Sequence, residues 1–308
     1  MHSKTKTLSI EDTNILKSFF TITVLIHHIY QNTAFLRGGA GFLFEALGYL
    51  SVAMFFFLSG YGLTSAYKSK GTDYINSLPR RKILPLYIYN LLLIFLYLFL
   101  WFAVNQPLST KRIILSFFFG HTVIKYGWYI QTTLLLYLLF FVIFKIRNKY
   151  FKISTLILGY TLYFILCRYL NCWSMWYVSV LAFAIGIAFA LKPQKINSII
   201  YIALFLLTFI LGNFSIIGGW LAVLCKMLSA TVFPLLIFKL QTSIKSDFPL
   251  LKKLSAYTFE IYASQGIFFT LYHSDILYIK SDILYTLLVL ASTYIFAILL
   301  NKLFKTIK

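Results

Sequence analysis

The sequence predicts an all-α fold: a polytopic membrane helix bundle of about ten transmembrane helices, both termini cytoplasmic, forming a single integral membrane domain over residues 1–308. Three observations predict it. Of 308 residues, 60% are hydrophobic and only 12% charged, too few polar side chains to cover a soluble globule of this size. Apolar runs of roughly 17 to 25 residues recur along the whole chain, the length that crosses a hydrocarbon core as a helix. The formal net charge of +20 sits in short links between those runs. Of 28 Lys and Arg, 20 fall in links and termini assigned inside and six (Arg37, Lys111, Arg112, Lys125, Arg168, Lys280) outside, with Lys17 and Lys226 within spans. A charge that would suggest nucleic acid in a soluble protein is here a topology signal, so no nucleic-acid partner is expected.

The first span is expected at 14–30, with Asp12 or Thr13 as its cap and the basic flank of Lys4 and Lys6 keeping the N-terminus inside. No signal-peptide pattern precedes it, so this helix is expected to stay as an anchor. Residues 31–46 lie outside. The second span, 47–67, is rich in Gly and Phe, and the basic stretch KSKGTDYINSLPRRK reads as an inner link to span three at 83–104. The next outer link, 105–126, contains KRIILSFFFGH, too short to span, which is expected to lie in the interface or to fold back into the protein. Spans four to ten are expected at 128–144, 153–170, 176–191, 196–211, 220–240, 254–271 and 283–300. The turn NCWS joins five to six outside and KPQK joins six to seven inside. Cys167, Cys172 and Cys225 show neither metal-ligand spacing nor an even count, so no metal or disulfide is expected. No internal repeat is evident.

Several residues are costly where they stand. Lys17 and His28 are eleven residues apart, which on a helix places them about 16 Å apart along the axis and about 20° apart around it. His27 faces elsewhere. A neutral imidazole in the outer half of the bilayer is suited to take a proton from a hydroxyl; the bland alternative is a buried histidine tying two helices together. In the second span Gly48, Gly60 and Gly62 suit close helix approach or local unwinding, and Ser59 offers a hydroxyl. Arg80, Arg81 and Lys82, just before Pro85, serve either as topology charges or as a phosphate site at a helix start. Glu260 and Lys226 are charges inside spans, expected to pair with each other unless Glu260 orients His28; Glu45 is another candidate partner of that imidazole. His121 in the outer link is expected either at an acceptor entrance or at the solvated interface.

These motifs resemble the acyltransferase-3 family of membrane proteins. Lys17-x10-His28 is similar to the family's Arg-x10-His signature, FFFLSGYGL at 55–63 to its second-helix motif, and RRKILPLY at 80–87 to its arginine-rich loop ending in proline. Trp128-Tyr129-Ile130 and TFEIYASQ at 258–265 are further, weaker similarities. The resemblance implies transfer of an acyl group, commonly acetyl from acetyl-CoA, to hydroxyls of surface polysaccharides, lipid-linked glycans or other envelope acceptors at the plasma membrane. It makes His28 the catalytic base and Lys17 the counterpart of the motif arginine, beside the donor's path. Arg80, Arg81 and Lys82, with Ser59, become donor-binding candidates, and Glu260 a catalytic one. Lys17 and Lys82 stand where the family has, or often has, arginine, and Gln265 stands where many members have histidine.

The implied mechanism brings acetyl-CoA from the cytoplasm and the acceptor from the outside, with His28 deprotonating the attacking hydroxyl. Direct transfer and an acyl-histidine intermediate both fit. Two readings from other classes compete with it: an exporter of a small acid or glycan using the same intramembrane polar residues, and a scaffold for envelope-glycan assembly. The partners expected are the glycan acceptor, membrane lipids, and either glycan-assembly proteins or a second copy of the chain.

Overall fold

A computed structural model describes residues 7–34, 41–193, 197–214, 216–243 and 248–306, and among them the chain is helical, with no named strand. Lys4, Lys6, Arg37, Lys195, Lys245 and Lys308, counted in the charge split, lie outside the described residues. Five helical stretches are long and apolar enough to cross a membrane: Gly41–Ala103, Trp128–Lys145, Tyr150–Tyr169, Gly219–Gln241 and Asp282–Lys305. Shorter apolar helices, Met175–Leu191 and Ser198–Asn213, accompany them. The architecture is a polytopic helical bundle whose backbone groups are satisfied within helices, as hydrocarbon requires. Two compact units compose it: Met1–Lys68 with Tyr177–Thr258, and Ser69–Trp176 with Phe259–Lys308.

In the first unit α1 runs over Ile10–Asn32. Its cap is neither Asp12 nor Thr13 but Ser9, whose hydroxyl accepts from Asp12 N–H while the Asp12 carboxylate accepts from Ser9 N–H at 2.9 Å. This reciprocal pair satisfies two otherwise orphaned donors and moves the start four residues earlier than the apolar run suggests. The start of α1 is tied to α11 (Pro249–Leu254) and α10 (Gly219–Ser243). Ser18 donates to the Leu251 carbonyl at 2.7 Å, Gln241 donates to Asp12 at 3.0 Å, and Lys252 pairs with Glu11.

The α2 helix covers Gly41–Leu78. Its first half crosses α8 (Leu181–Leu191) at two glycines: a Cβ on Gly60 would meet the Phe183 carbonyl, and one on Gly186 the Phe57 carbonyl. Gly62 has nothing within 4 Å of where a Cβ would be, so it serves neither close approach nor packing. The expected single helix over 176–191 is broken after α7 (Met175–Val178), where Ser179 donates to the Tyr49 carbonyl at 2.7 Å. The Tyr49 hydroxyl in turn takes a bond from Asn213 of α9 (Ser198–Asn213) at 2.9 Å and lies 3.3 Å from the Ser229 hydroxyl of α10.

In the second unit the expected inner link 68–82 is helical instead. The chain turns at Gly71, whose φ of 66° favours glycine, continues as helix to Leu78, and passes through a π-helical turn, Pro79–Ile83, into α3 (Leu84–Ala103). Pro85 explains that wide turn. It has no N–H for the Arg81 carbonyl, and the Leu84 N–H reaches back five residues to Pro79 O. Outside α3, the short α4 (Thr110–Ser116) and residues 117–127 fold back into the protein, followed by α5 (Trp128–Lys145) and α6 (Lys149–Tyr169). The unit closes with α12 (Thr258–Leu271) and α13 (Asp282–Thr306), where Tyr89 stacks on Phe304 and donates to its carbonyl at 3.1 Å.

Candidate active site

The first unit carries Lys17, His28 and Ser59. Because α1 is unbroken from Ile10 to Asn32, the predicted face exists: Lys17, Thr21, Val24 and His28 lie within about 60° of one another around the axis. Lys17 is half-buried, whereas His28 is only 6% exposed. Thr21, buried between them, donates to the Lys17 carbonyl at 2.8 Å and so adds no orphan donor to the stripe. Sequence reasoning missed Thr21, although its i+4 spacing from Lys17 was visible.

The adjacent imidazoles divide the work. His27 Nδ1 lies 2.8 Å from the Phe44 carbonyl, and since a carbonyl only accepts, that nitrogen carries the proton. Its ring rests on Gly48, where a Cβ would sit 2.5 Å from Nε2, so Gly48 is the seat of this histidine. Glu45, exposed on α2, is within electrostatic reach of His27. His27 is therefore the histidine that ties two helices. His28, its ring 5.2 Å from that of His27, holds the position on the lysine face. Ser59 is half-buried on α2.

Arg80, Arg81, Lys82 and Glu260 belong to the second unit. The π-turn leaves Arg80, Arg81 and Lys82 all exposed on consecutive positions. Arg80 with Pro79 forms the polar rim of a cavity of about 570 Å³ whose walls are Ile83, Leu84, Tyr87, Phe118 and the leucines of α5. One end of that cavity is cationic, and the remainder is apolar apart from Gln131 and the Tyr87 hydroxyl.

The re-entrant segment supplies the far wall. Asn90 donates to the Ser116 carbonyl at 3.5 Å, and Tyr87 to Phe117 O at 3.4 Å, so the loop reaches well down α3. The Gln131 amide, 1% exposed, donates to Leu115 O, Ser116 O and His121 O at 3.1 to 3.2 Å. One side chain thus ties the end of α4 to the His121 backbone beyond it, alongside the bonds that Leu115 O takes from Phe118 N–H and Ser116 O from Asn90. His121 Nε2 lies 3.2 Å from Leu170 O.

Glu260, 8% exposed, accepts from Asn301 Nδ2 at 2.9 Å, a neutral partner on α13. Lys226 packs its stem against Gly212 of α9, where a Cβ would stand 3.0 Å from the Lys226 Cγ. Gln265 is buried and turns its amide to the Tyr262 carbonyl of its own helix at 3.1 Å. Among the described residues no cluster of His, Cys, Asp or Glu is arranged to hold a metal.

Compared with known families, the chain matches the family model Acyl_transf_3, described as an acyltransferase domain, over residues 10–302. No curated protein and no solved structure matches it.

Proposed function

The chain belongs to the acyltransferase-3 family, and on that premise we propose that it is a membrane O-acyltransferase moving acetyl from acetyl-CoA to a hydroxyl of a surface polysaccharide or lipid-linked glycan. The observation that carries the reading is the division between the two histidines. His27 is bound to the Phe44 carbonyl, and His28 is buried on the face shared with Lys17. An imidazole in its neutral form can take a proton from a hydroxyl.

The donor supplies an activated acyl thioester. Its phosphates suit the exposed Arg80, Arg81 and Lys82, because guanidinium forks bind phosphate oxygens in pairs and a lysine adds a point charge. The apolar cavity opening beside Arg80 suits a pantetheine arm. His28 accepts the proton of the acceptor hydroxyl as the new C–O bond forms, and returns it to the sulfur as the C–S bond breaks, so no net charge accumulates. Lys17 holds positive charge on the same helix face as His28. Glu260, which accepts from Asn301, remains a catalytic candidate on α12. In this reading the protein sits in the plasma membrane with both termini cytoplasmic.

Purified full-length protein in nanodiscs, given radiolabelled acetyl-CoA and a glycan acceptor, should label the glycan. His28→Ala should abolish labelling while His27→Gln reduces it only through stability. Labelling that persists in His28→Ala would overturn the assignment of the base.

A further inference from the structure

A second cavity lies in the same unit, at the opposite end of α3 from Arg80. Its volume is about 580 Å³, and Arg112, His121, Lys125, Trp128, Trp173 and Trp176 line it. Arg112 and Trp101 lock it to the C-terminal end of α3. The guanidinium stands 5.2 Å over the Trp101 ring and its Nε donates to Thr122 O at 2.8 Å, while the Trp101 indole donates to Val123 O at 2.7 Å.

We infer that this cavity binds an anionic saccharide, a sugar bearing a carboxylate or phosphate, which makes it the acceptor's recognition site. The word acceptor rests on the acyl transfer proposed above; the binding does not. Three features argue for that ligand class. The lining offers three basic side chains and no carboxylate, so it selects against cations. Arg112 and Lys125 are held half-buried against aromatic faces, Lys125 Nζ lying 5.6 Å from the Tyr126 and Phe269 rings. Long cations near a membrane ordinarily extend to water, and holding two of them inward is offset when an anion enters.

The third feature is the indoles. Trp128 and Trp176 are buried with ring centroids 6.2 Å apart, while Trp173 is 74% exposed at the mouth. Flat aromatic faces beside polar tips suit a sugar ring, which has apolar C–H faces and a hydroxyl edge. An anionic lipid would need an apolar channel for its chains. The Arg80 cavity is walled by aliphatic side chains that suit such chains, whereas the apolar surface of this one is largely indole and carries two long cations within it. Burial also lowers the Lys125 pKa to about 8, leaving the charge in place at neutral pH.

The test measures binding apart from transfer. Full-length protein in zwitterionic nanodiscs is titrated with tetragalacturonate, its methyl ester, a lipid-linked galacturonate oligosaccharide and phosphatidylglycerol, read by indole fluorescence. The acid should bind at least about tenfold more tightly than the ester, with Arg112→Gln and Lys125→Gln each costing about tenfold. Trp173→Ala should weaken binding and Trp173→Phe restore it; this side chain is exposed, so folding is not at stake. Free and lipid-linked arms of equal affinity point to polymer as the source, and a tighter lipid-linked arm to a membrane-borne glycan; either supports the site. Equal binding of acid and ester, or a response to phosphatidylglycerol alone, overturns it. Binding that survives in a His28→Ala chain while transfer is lost supports both readings. Binding in a wild-type chain that transfers nothing removes the acyl-transfer reading and leaves the site.

Discussion

Two cavities of nearly equal volume, about 570 and 580 Å³, occupy the second unit, yet their linings place charge differently. One has an arginine at its rim and leucines, Phe118 and Tyr87 for walls. The other sets Arg112 and Lys125, with the His121 imidazole, among indoles. Size therefore says nothing about the ligand, and the placement of charge says most of it. A cation at the mouth of an apolar slot fits an amphiphile whose charge stays outside. Cations within an aromatic chamber fit a polar ring whose charge goes in.

The largest expected effect separates both cavities from the chemistry. His28→Ala should lower acyl transfer by 10² to 10⁴, about the range of lost general-base catalysis, while donor and saccharide binding stay within about twofold. A joint loss of binding would mean that His28 shapes a cavity rather than moving a proton. Next comes the donor side. Arg80→Gln with Arg81→Gln should raise the KM for acetyl-CoA by about 10- to 100-fold and leave saccharide affinity unchanged, since charge-assisted phosphate bonds are lost and no wall is. Should saccharide affinity fall with it, the two cavities are not independent.

Lys125 sharpens the comparison through pH, because it belongs to the charged chamber alone. Burial depresses its pKa from 10.5 to about 8. It is charged below that value and neutral above it, so saccharide affinity should fall by about tenfold as pH rises from 7 to 9, while the KM for the donor keeps its own pH dependence. Stability should run the other way. The unfolded chain holds this proton to about 10.5, so between 8 and 10.5 the unfolded state binds more protons and stability rises with pH. His273 faces the same charge, its pKa lowered by burial and then by Lys125 and raised in part by Asp282, and Tyr126 also lies against the ammonium. Lys125→Arg should flatten the affinity profile and retain binding at pH 9. A slope that survives Lys125→Gln would remove Lys125 as its source, and His273, with its pKa lowered by burial, could not supply it in that range.

How much of this was legible in the sequence depends on how local each signal is. Lys17 and His28 stood out because polar groups are costly in an apolar helix, and their shared face follows from the helical period alone. The cations at 80–82 were equally plain, but the π-turn that exposes all three was not, since it depends on which carbonyl Pro85 leaves without a donor. Residues 69–78 read as a link because polar composition was taken for irregular backbone; helix satisfies that backbone just as well. The fold-back of KRIILSFFFGH was half legible, as a run too short to span. What fixes it, the Gln131 amide, left no pattern because its three acceptors are backbone carbonyls. The aromatic chamber was not legible either: residues 112, 121, 125, 128, 173 and 176 come together only when α6 carries the chain back beside the re-entrant segment.

Gln131 gives the smallest expected effect and the one that tests whether the two cavities share a wall. Its side chain lines the donor-side cavity, and its amide donates to the carbonyl of His121, whose ring lines the other. Gln131→Leu keeps the volume and removes the donors, leaving the carbonyls of Leu115, Ser116 and His121 without that partner. The loss should be about 1 to 3 kcal/mol of stability, seen as a lower thermal midpoint in detergent. The same change should weaken both ligands by only about two- to threefold, because neither set of charges is touched and only the wall between them loosens. Gln131→Glu adds a repulsive acceptor opposite the same three carbonyls and should be worse than Leu for stability. If Leu instead impairs one ligand and spares the other, the re-entrant loop is braced elsewhere, and the cavities are separate structures that happen to be the same size.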